Sequence, residues 1–142
     1  MSIRFGVSPI AWINDDLPAL GGDTPLESVL GEARDVGFAG IELGGKFPKD
    51  AGVLQALLHR YRLVLVGGWY SASLLTRSAA AEIQALQSHL KLLKAMGCGV
   101  FILAETSNAI HCDQGSAMSA TPRLPDSSWD EFGRKLTEVA DY

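Results

Sequence analysis

Residues 63–69 read Leu-Val-Leu-Val-Gly-Gly-Trp, a run that is apolar throughout and carries no charge. A strand covered by helices on both faces of a parallel sheet has this pattern, whereas a half-exposed strand alternates apolar and polar residues. Residues 40–43 (Gly-Ile-Glu-Leu) and 99–104 (Gly-Val-Phe-Ile-Leu-Ala) are similar short apolar segments, and residues 3–7 alternate before Pro9. These four segments are predicted to be strands.

A segment with helical periodicity follows each predicted strand. Thr24, with proline next and Glu27 three residues later, has the pattern of a capping box, and Ser128 with Glu131 repeats it. Asp50 is a further candidate N-cap. The predicted helices cover residues 25–36, 51–61, 79–96 and 129–142, with Gly37 and Gly97 ending the first and third, and the last still running at Tyr142.

Four strand-and-helix units in succession predict an α/β fold with a parallel sheet, either open and doubly wound or part of a barrel. The segment after Val7 reads Ser-Pro-Ile-Ala-Trp. It lacks the glycine-rich phosphate loop of an open nucleotide-binding sheet, so the barrel is favoured. A TIM barrel has eight strands. We therefore expect residues 1–142 to form the N-terminal half, the first four units, of a single (β/α)8 barrel domain, truncated within a helix.

Composition and charge narrow the classes of partner. The 142 residues are 47% hydrophobic and 20% charged, as in one globular domain, and the net charge of −4 with scattered basic residues argues against nucleic acid. No signal peptide or long apolar run is seen, so we expect a cytoplasmic protein without a membrane partner. Cys98 and Cys112 lack metal-site or disulfide spacing. Two half-barrels could pair through their open edges, so a homo-oligomer is possible.

Polar and aromatic side chains follow the predicted strands, where parallel α/β folds bind ligands. Aromatic walls with amide, ammonium and carboxylate groups suit a polyhydroxylated ring such as a small polyol or ketose. In chain order these candidates are Trp12 and Asn14, Glu42 and Lys46, Trp69 and Tyr70, and Glu105, Asn108 and His111.

Structural alternatives stay open for several of these residues. Trp12 and Trp69 also fit packing at the rim of a sheet, and Asn14 also fits a turn. Glu42 needs a partner if it is buried, and Lys46, four residues later, would supply one in a purely structural ion pair. His59 and His89 fall within predicted helices, and we assign them no role.

Several motifs together resemble one enzyme family. They are the segment 12–18 (Trp-Ile-Asn-Asp-Asp-Leu-Pro) followed by 21–25 (Gly-Gly-Asp-Thr-Pro), the segment 37–48, and Ala104-Glu105-Thr106 with Ile110-His111. The chain is similar over essentially its whole length to inosose dehydratases of bacterial inositol catabolism, in the xylose-isomerase-like barrel superfamily. Cys112 departs from the family pattern, in which glycine is expected.

The resemblance implies a lyase that dehydrates 2-keto-myo-inositol with a divalent metal ion, manganese or cobalt. It also implies that the metal ligands are carboxylates and a histidine on later strands, so this chain would supply none and would be inactive alone. Within the chain, we expect Glu42 and Lys46 to serve in binding or proton handling. The expected substrate-binding residues are Trp12, Asn14, Trp69, Glu105 and His111.

Two other functions fit the same residues. Glutamate and tryptophan at strand ends also serve ketose isomerases and epimerases on this barrel. A catalytically inert half-barrel that acts as an assembly module is the alternative from another class.

Overall fold

The computed structural model describes residues 3–142. Its strands are β1 (Gly6–Val7), β2 (Gly40–Leu43), β3 (Val64–Ala72) and β4 (Phe101–Glu105). They form one parallel sheet in the order β1-β2-β3-β4, so each strand lies next to its neighbour in sequence. This order confirms the predicted α/β class and is consistent with the first half of a (β/α)8 barrel.

The helices are α1 (Leu26–Val36), α2 (Ala51–Arg60), α3 (Ala79–Ala85), α4 (Gln87–Ala95) and α5 (Trp129–Ala140). Short 3-10 helices span Pro9–Ala11, Met118–Ala120 and Asp126–Ser128. Among the described residues, no helix is long and apolar enough to cross a membrane.

The single helix predicted over residues 79–96 is wrong, because the structure divides it at Leu86. In a continuous helix the backbone N–H of Gln87 would bond to the carbonyl of Ile83. Instead, the side-chain amide of Gln87 donates to that carbonyl over 2.8 Å. This competition between side chain and backbone is a physical reason for the break.

Neither predicted capping box forms. The N-cap of α1 is Pro25, with extended backbone and no side-chain cap bond, so Thr24 lies one residue too early. Ser128 has a helical backbone conformation, with φ −99° and ψ −11°, and makes no side-chain cap bond. Capping requires an extended N-cap residue whose oxygen faces the first turn, and neither hydroxyl meets that condition. Helix α5 ends at Ala140 rather than running to Tyr142.

Other helix boundaries follow the prediction. Asp50 caps α2 by accepting a hydrogen bond from the backbone N–H of Val53 over 2.9 Å. Gly37 ends α1 in the left-handed region, with φ 98°, which glycine adopts without steric cost.

The chain divides into two compact units. Unit 1 comprises residues 3–69 with 89–102, and unit 2 comprises residues 70–88 with 103–142. Most buried apolar residues of unit 1 come from α1, α2 and α4 and from one face of the strands, among them Leu30, Ile41, Leu54, Leu65 and Leu93. Whether residues 1–142 behave as half of one barrel domain stays a prediction.

The prediction that β3 is covered on both faces is wrong for this chain. Leu65 is buried, but Val64 is 53% exposed and Val66 is 36% exposed. The helices of unit 1 bury one face of the strands, and a closed barrel would enclose the other. Gly40 lies on the open face, where an added Cβ would come within 2.3 Å of a methyl carbon of Val66. Glycine there lets the strands approach beside the valine.

Candidate functional site

The loop between β1 and α1 carries the first two candidates, and the structure gives both an internal partner. The half-buried Trp12 donates its indole N–H to the Glu32 carboxylate over 2.7 Å. The side-chain oxygen of Asn14 accepts from the backbone N–H groups of Asp16 and Leu17 at 3.0 and 2.9 Å. Asn14 therefore shapes a turn, as the structural alternative predicts. Its role in substrate binding stays a prediction.

Two contacts within unit 1 tie this loop to the one that follows β2. The Lys46 ammonium donates to the carbonyls of Gly22 and Thr24 over 2.6 and 2.7 Å. The Asp15 carboxylate accepts from the backbone N–H of Gly45 over 2.7 Å. Lys46 thus holds the 21–25 segment, whose conformation brings Pro25 rather than Thr24 to the start of α1.

The structural ion pair between Glu42 and Lys46 does not form, because the Lys46 ammonium lies against the two carbonyls. Glu42 is half-buried at the carboxyl end of β2. A register shift between β2 and β3 puts Gly67 opposite Glu42, and an added Cβ on Gly67 would lie 3.7 Å from the Glu42 Cγ. No described residue makes a hydrogen bond or ion pair with this carboxylate. Glu42 is therefore available to a ligand.

Glu105, at the end of β4 in unit 2, differs from Glu42 because both of its carboxylate oxygens accept hydrogen bonds. One carboxylate oxygen accepts from the backbone N–H of Leu74. The other accepts from the backbone N–H of Ser107, at 2.8 Å, and from its hydroxyl. The Lys135 ammonium donates to the Leu74 carbonyl over 2.9 Å. Side chains therefore bond to both the backbone N–H and the carbonyl of Leu74. Glu105 therefore organises loops here.

The remaining two of the expected substrate-binding residues, Trp69 and His111, are exposed. Trp69 is 52% exposed on β3. His111 lies exposed in the loop after β4. Their roles in substrate binding stay predictions.

Glu82, in the first turn of α3, is a residue that sequence reasoning missed. Its side chain is 0% exposed. Its carboxylate accepts from the Tyr70 hydroxyl over 2.8 Å and from the backbone N–H of Ser73 over 3.0 Å, and the Arg77 guanidinium lies 3.5 Å away. A signal was present, because Glu82 lies one helical turn before Leu86 and so falls on the apolar stripe. A carboxylate on a buried stripe needs donors nearby.

Burial, reinforced by the hydrogen bond to Glu82, raises the pKa of Tyr70 from 10.0 to about 12. A phenol is neutral when protonated, so a raised pKa means that the native state holds this proton more tightly than the unfolded state does. We expect the resulting stabilisation to be complete below pH 10 and to be lost as the pH rises from 10 to about 12. Urea unfolding across that range measures the loss. Tyr70→Phe is the control, and the prediction fails if this variant shows the same loss.

No family model matches the chain. Individual curated proteins are similar to it, and several of them are named inosose dehydratase. The rhizopine catabolism protein MocC of Rhizobium meliloti is 44% identical over 141 residues, which are 99% of this chain and 43% of MocC. An inosose dehydratase of Mesomycoplasma hyopneumoniae (strain 7448) is 31% identical over 141 residues, covering 99% of this chain and 47% of that protein. By sequence, this chain is a relative of the inosose dehydratases. The inosose dehydratase of Geobacillus thermodenitrificans agrees, with 31% identity over 140 residues.

The chain spans less than half the length of these curated relatives, 43% of MocC and 47% of the two inosose dehydratases. The similarity runs through 98–99% of the chain, so it includes the segments that hold Glu42, Lys46 and Glu105. The resemblance to inosose dehydratases is therefore confirmed as one of partial length.

Proposed function

We propose that this chain contributes part of the active site of a lyase that removes water from 2-keto-myo-inositol in inositol catabolism. The relatives named inosose dehydratase support the reaction class. The observation that carries a chemical role within this chain is the Glu42 carboxylate, which no described residue engages at the carboxyl end of β2. Ligands of parallel α/β folds bind at that end of the sheet.

Elimination of water next to a ketone requires a base and an acid. The base takes the proton from the carbon beside the carbonyl, and the C–H electron pair forms an enediolate whose charge is on the former carbonyl oxygen. The carbonyl then re-forms as the C–O bond one carbon further breaks, and the departing hydroxyl takes a proton from the acid, so that one water is released. We assign proton removal to Glu42, because a carboxylate that no described residue engages can accept that proton.

In this proposal, Lys46 helps to bind the substrate with the one N–H of its ammonium group that no described residue uses. An ammonium has three N–H donors, and two of them bond to the Gly22 and Thr24 carbonyls. The third N–H suits a substrate hydroxyl. The two carbonyls would also fix the ammonium in place before substrate binds, which lowers the cost of ordering a long side chain.

The two strand-end carboxylates do not fit the manganese or cobalt ion that the resemblance implies. Such ions take several oxygen or nitrogen ligands. Glu42 offers one carboxylate, and backbone and hydroxyl donors already engage both oxygens of Glu105. We derive no step through a metal ion.

The test is a chimera in which this chain replaces the 140 matching residues of the Geobacillus thermodenitrificans inosose dehydratase. We expect the chimera to dehydrate 2-keto-myo-inositol, which is followed by the ultraviolet absorbance of the dione product. The chain alone is assayed in parallel. Isomerisation of simple ketohexoses without dehydration would favour the isomerase or epimerase alternative. A folded chimera with neither activity would overturn the proposal and favour an inert assembly module.

A further inference from the structure

Strands β2 and β3 lose their regular register at Glu42. Ile41 pairs with Leu65, but the next residue of β2, Glu42, pairs with Gly67. Strand β3 therefore holds one extra residue, Val66, at this point. Such a bulge is rare between parallel strands, and bulges are frequent next to active sites, where they redirect a side chain.

The register shift changes which residue of β3 lies beside Glu42. In a regular register the partner would be Val66, and residues opposite each other in neighbouring strands point to the same face of the sheet. The methyl groups of a valine would then lie against the Glu42 side chain. With the shift, the partner is Gly67, which has no side chain. The bulge therefore gives the Glu42 side chain room beside the backbone of β3.

Three side chains converge on the position that a Cβ of Gly67 would occupy. This position is 3.7 Å from Cγ of Glu42, 3.3 Å from Cδ1 of Ile102 and 3.9 Å from Cγ1 of Val100. Gly67 itself is buried. The aliphatic part of Glu42 thus lies close to the β3 backbone and near two apolar side chains. Close packing of this kind restricts the rotamers of a side chain.

The fold alone does not require glycine at position 67. At Gly40, an added Cβ would lie 2.7 Å from the backbone oxygen of Val64, which cannot move aside. At Gly67 the nearest distance is 3.3 Å, and the atom concerned is the flexible end of Ile102. Glycine inside a strand otherwise weakens the strand, because it has no side chain to pack and loses more conformational freedom on folding. Glycine at this position is therefore better explained by the neighbouring Glu42 than by the packing of the sheet.

We propose that Gly67 and the bulge at Val66 position the Glu42 carboxylate for proton transfer. Gly67 is a positioning residue, because it leaves the Glu42 side chain room beside β3 in one rotamer. The inference deepens the proposed function and rests on it for the role of Glu42 as the base. A misplacement of about 1 Å can cost about 10²-fold in rate. A side chain at position 67 that displaces the carboxylate is therefore expected to lower turnover while every substrate-binding group is kept.

The test compares Gly67→Val and Gly67→Ala with the matched control Gly99→Val, because a Cβ on Gly99 would have no atom within 4 Å. Three-bond couplings measured by NMR on this chain report whether Glu42 keeps a single χ1 rotamer. We expect one rotamer in the parent chain, in Gly67→Ala and in the control. We expect averaging over rotamers in Gly67→Val, whose branched carbons extend beyond the Cβ position. This measurement needs no turnover.

Kinetics of the chimera measure the consequence for catalysis. Gly67→Val is expected to lower kcat about 10²-fold and to leave KM within about threefold of the parent chimera, because only the base is displaced. Gly67→Ala is expected to lower kcat by less than about tenfold, since its Cβ makes no contact closer than 3.3 Å. The control Gly99→Val is expected to change neither constant.

The proposal is overturned if Glu42 averages over rotamers in the parent chain, or if Gly67→Val keeps the single rotamer of the parent. It is also overturned if an active chimera that carries Gly67→Val keeps the parental kcat. Circular dichroism checks that Gly67→Val is folded, and if it is not, Gly67→Ser, which adds one heavy atom beyond Cβ, carries both measurements. An inactive parent chimera would sink the dehydratase proposal alone, and the couplings would still decide whether Gly67 positions Glu42.

Discussion

Replacing Glu82 with alanine is expected to lower the free energy of unfolding by about 2–5 kcal/mol, because donors are left without an acceptor. The Tyr70 hydroxyl and the Ser73 N–H both donate to this carboxylate. The Glu82 side chain is fully buried. Both bonds are partly buried, so each abandoned donor keeps part of its desolvation cost. Urea denaturation followed by circular dichroism measures the change.

Two variants show whether the effect belongs to the buried carboxylate. Glu82→Gln keeps one side-chain oxygen as an acceptor and is expected to lose less stability than the alanine variant. Glu138→Gln removes an exposed carboxylate of α5 that pairs with Arg134, and is expected to change stability by less than about 0.5 kcal/mol. If Glu82→Ala is as mild as Glu138→Gln, the bonds to Tyr70 and Ser73 do not stabilise the fold.

Glu82 matters to the candidate site because it fixes the segment that follows β3. The N–H of Ser73 goes to Glu82, and the N–H of the next residue, Leu74, goes to Glu105. Two consecutive amides are thus held by carboxylates from α3 and from the end of β4. A site built on loops needs such supports, because loops supply few backbone partners of their own. Loss of Glu82 is therefore expected to loosen the segment that follows β3.

The presence of the four strands was predictable because each has a local pattern in the sequence. The apolar run 40–43 matches β2 at both ends. Strand β3 continues to Ala72, three residues beyond the predicted run, although its Tyr70 and Ser71 give no apolar signal. Pairing explains the extension, since the carbonyl of Ala72 accepts from the N–H of Thr106 over 3.0 Å. A bond between residues so far apart in sequence has no local signature.

The roles of the charged residues were less predictable, because their partners also lie far away in the sequence. Sequence places Lys46 four residues after Glu42, which suggests a pair, but the ammonium bonds to carbonyls more than twenty residues earlier. Glu105 was expected to face substrate, which stays a prediction, and the bonds of its oxygens to backbone amides, one of them at Leu74, had no signal in the sequence. Whether a carboxylate is engaged depends on which loops meet at it. This distinction separates Glu42 from Glu105, although both follow apolar strands.

Glu42→Gln is expected to reduce dehydration of 2-keto-myo-inositol by the chimera about 10²–10⁴-fold, the usual contribution of a general base. The amide has nearly the same shape but cannot accept the proton. Because no described residue bonds to the Glu42 carboxylate, the same change is expected to alter the free energy of unfolding by less than about 0.5 kcal/mol. Steady-state kinetics of the chimera and urea unfolding of this chain measure the two effects.

A loss of activity without a loss of stability is the signature of a side chain that the fold does not use. Glu27→Gln, at an exposed position in the first turn of α1, is the matched control and is expected to leave turnover unchanged. A Glu42→Gln chimera with parental turnover would remove Glu42 from proton transfer. A strong loss of stability would mean instead that the carboxylate supports the sheet, as Glu82 supports the loop after β3. The two carboxylates are therefore best measured side by side, since the loss expected from Glu42 is one of activity and the loss expected from Glu82 is one of stability.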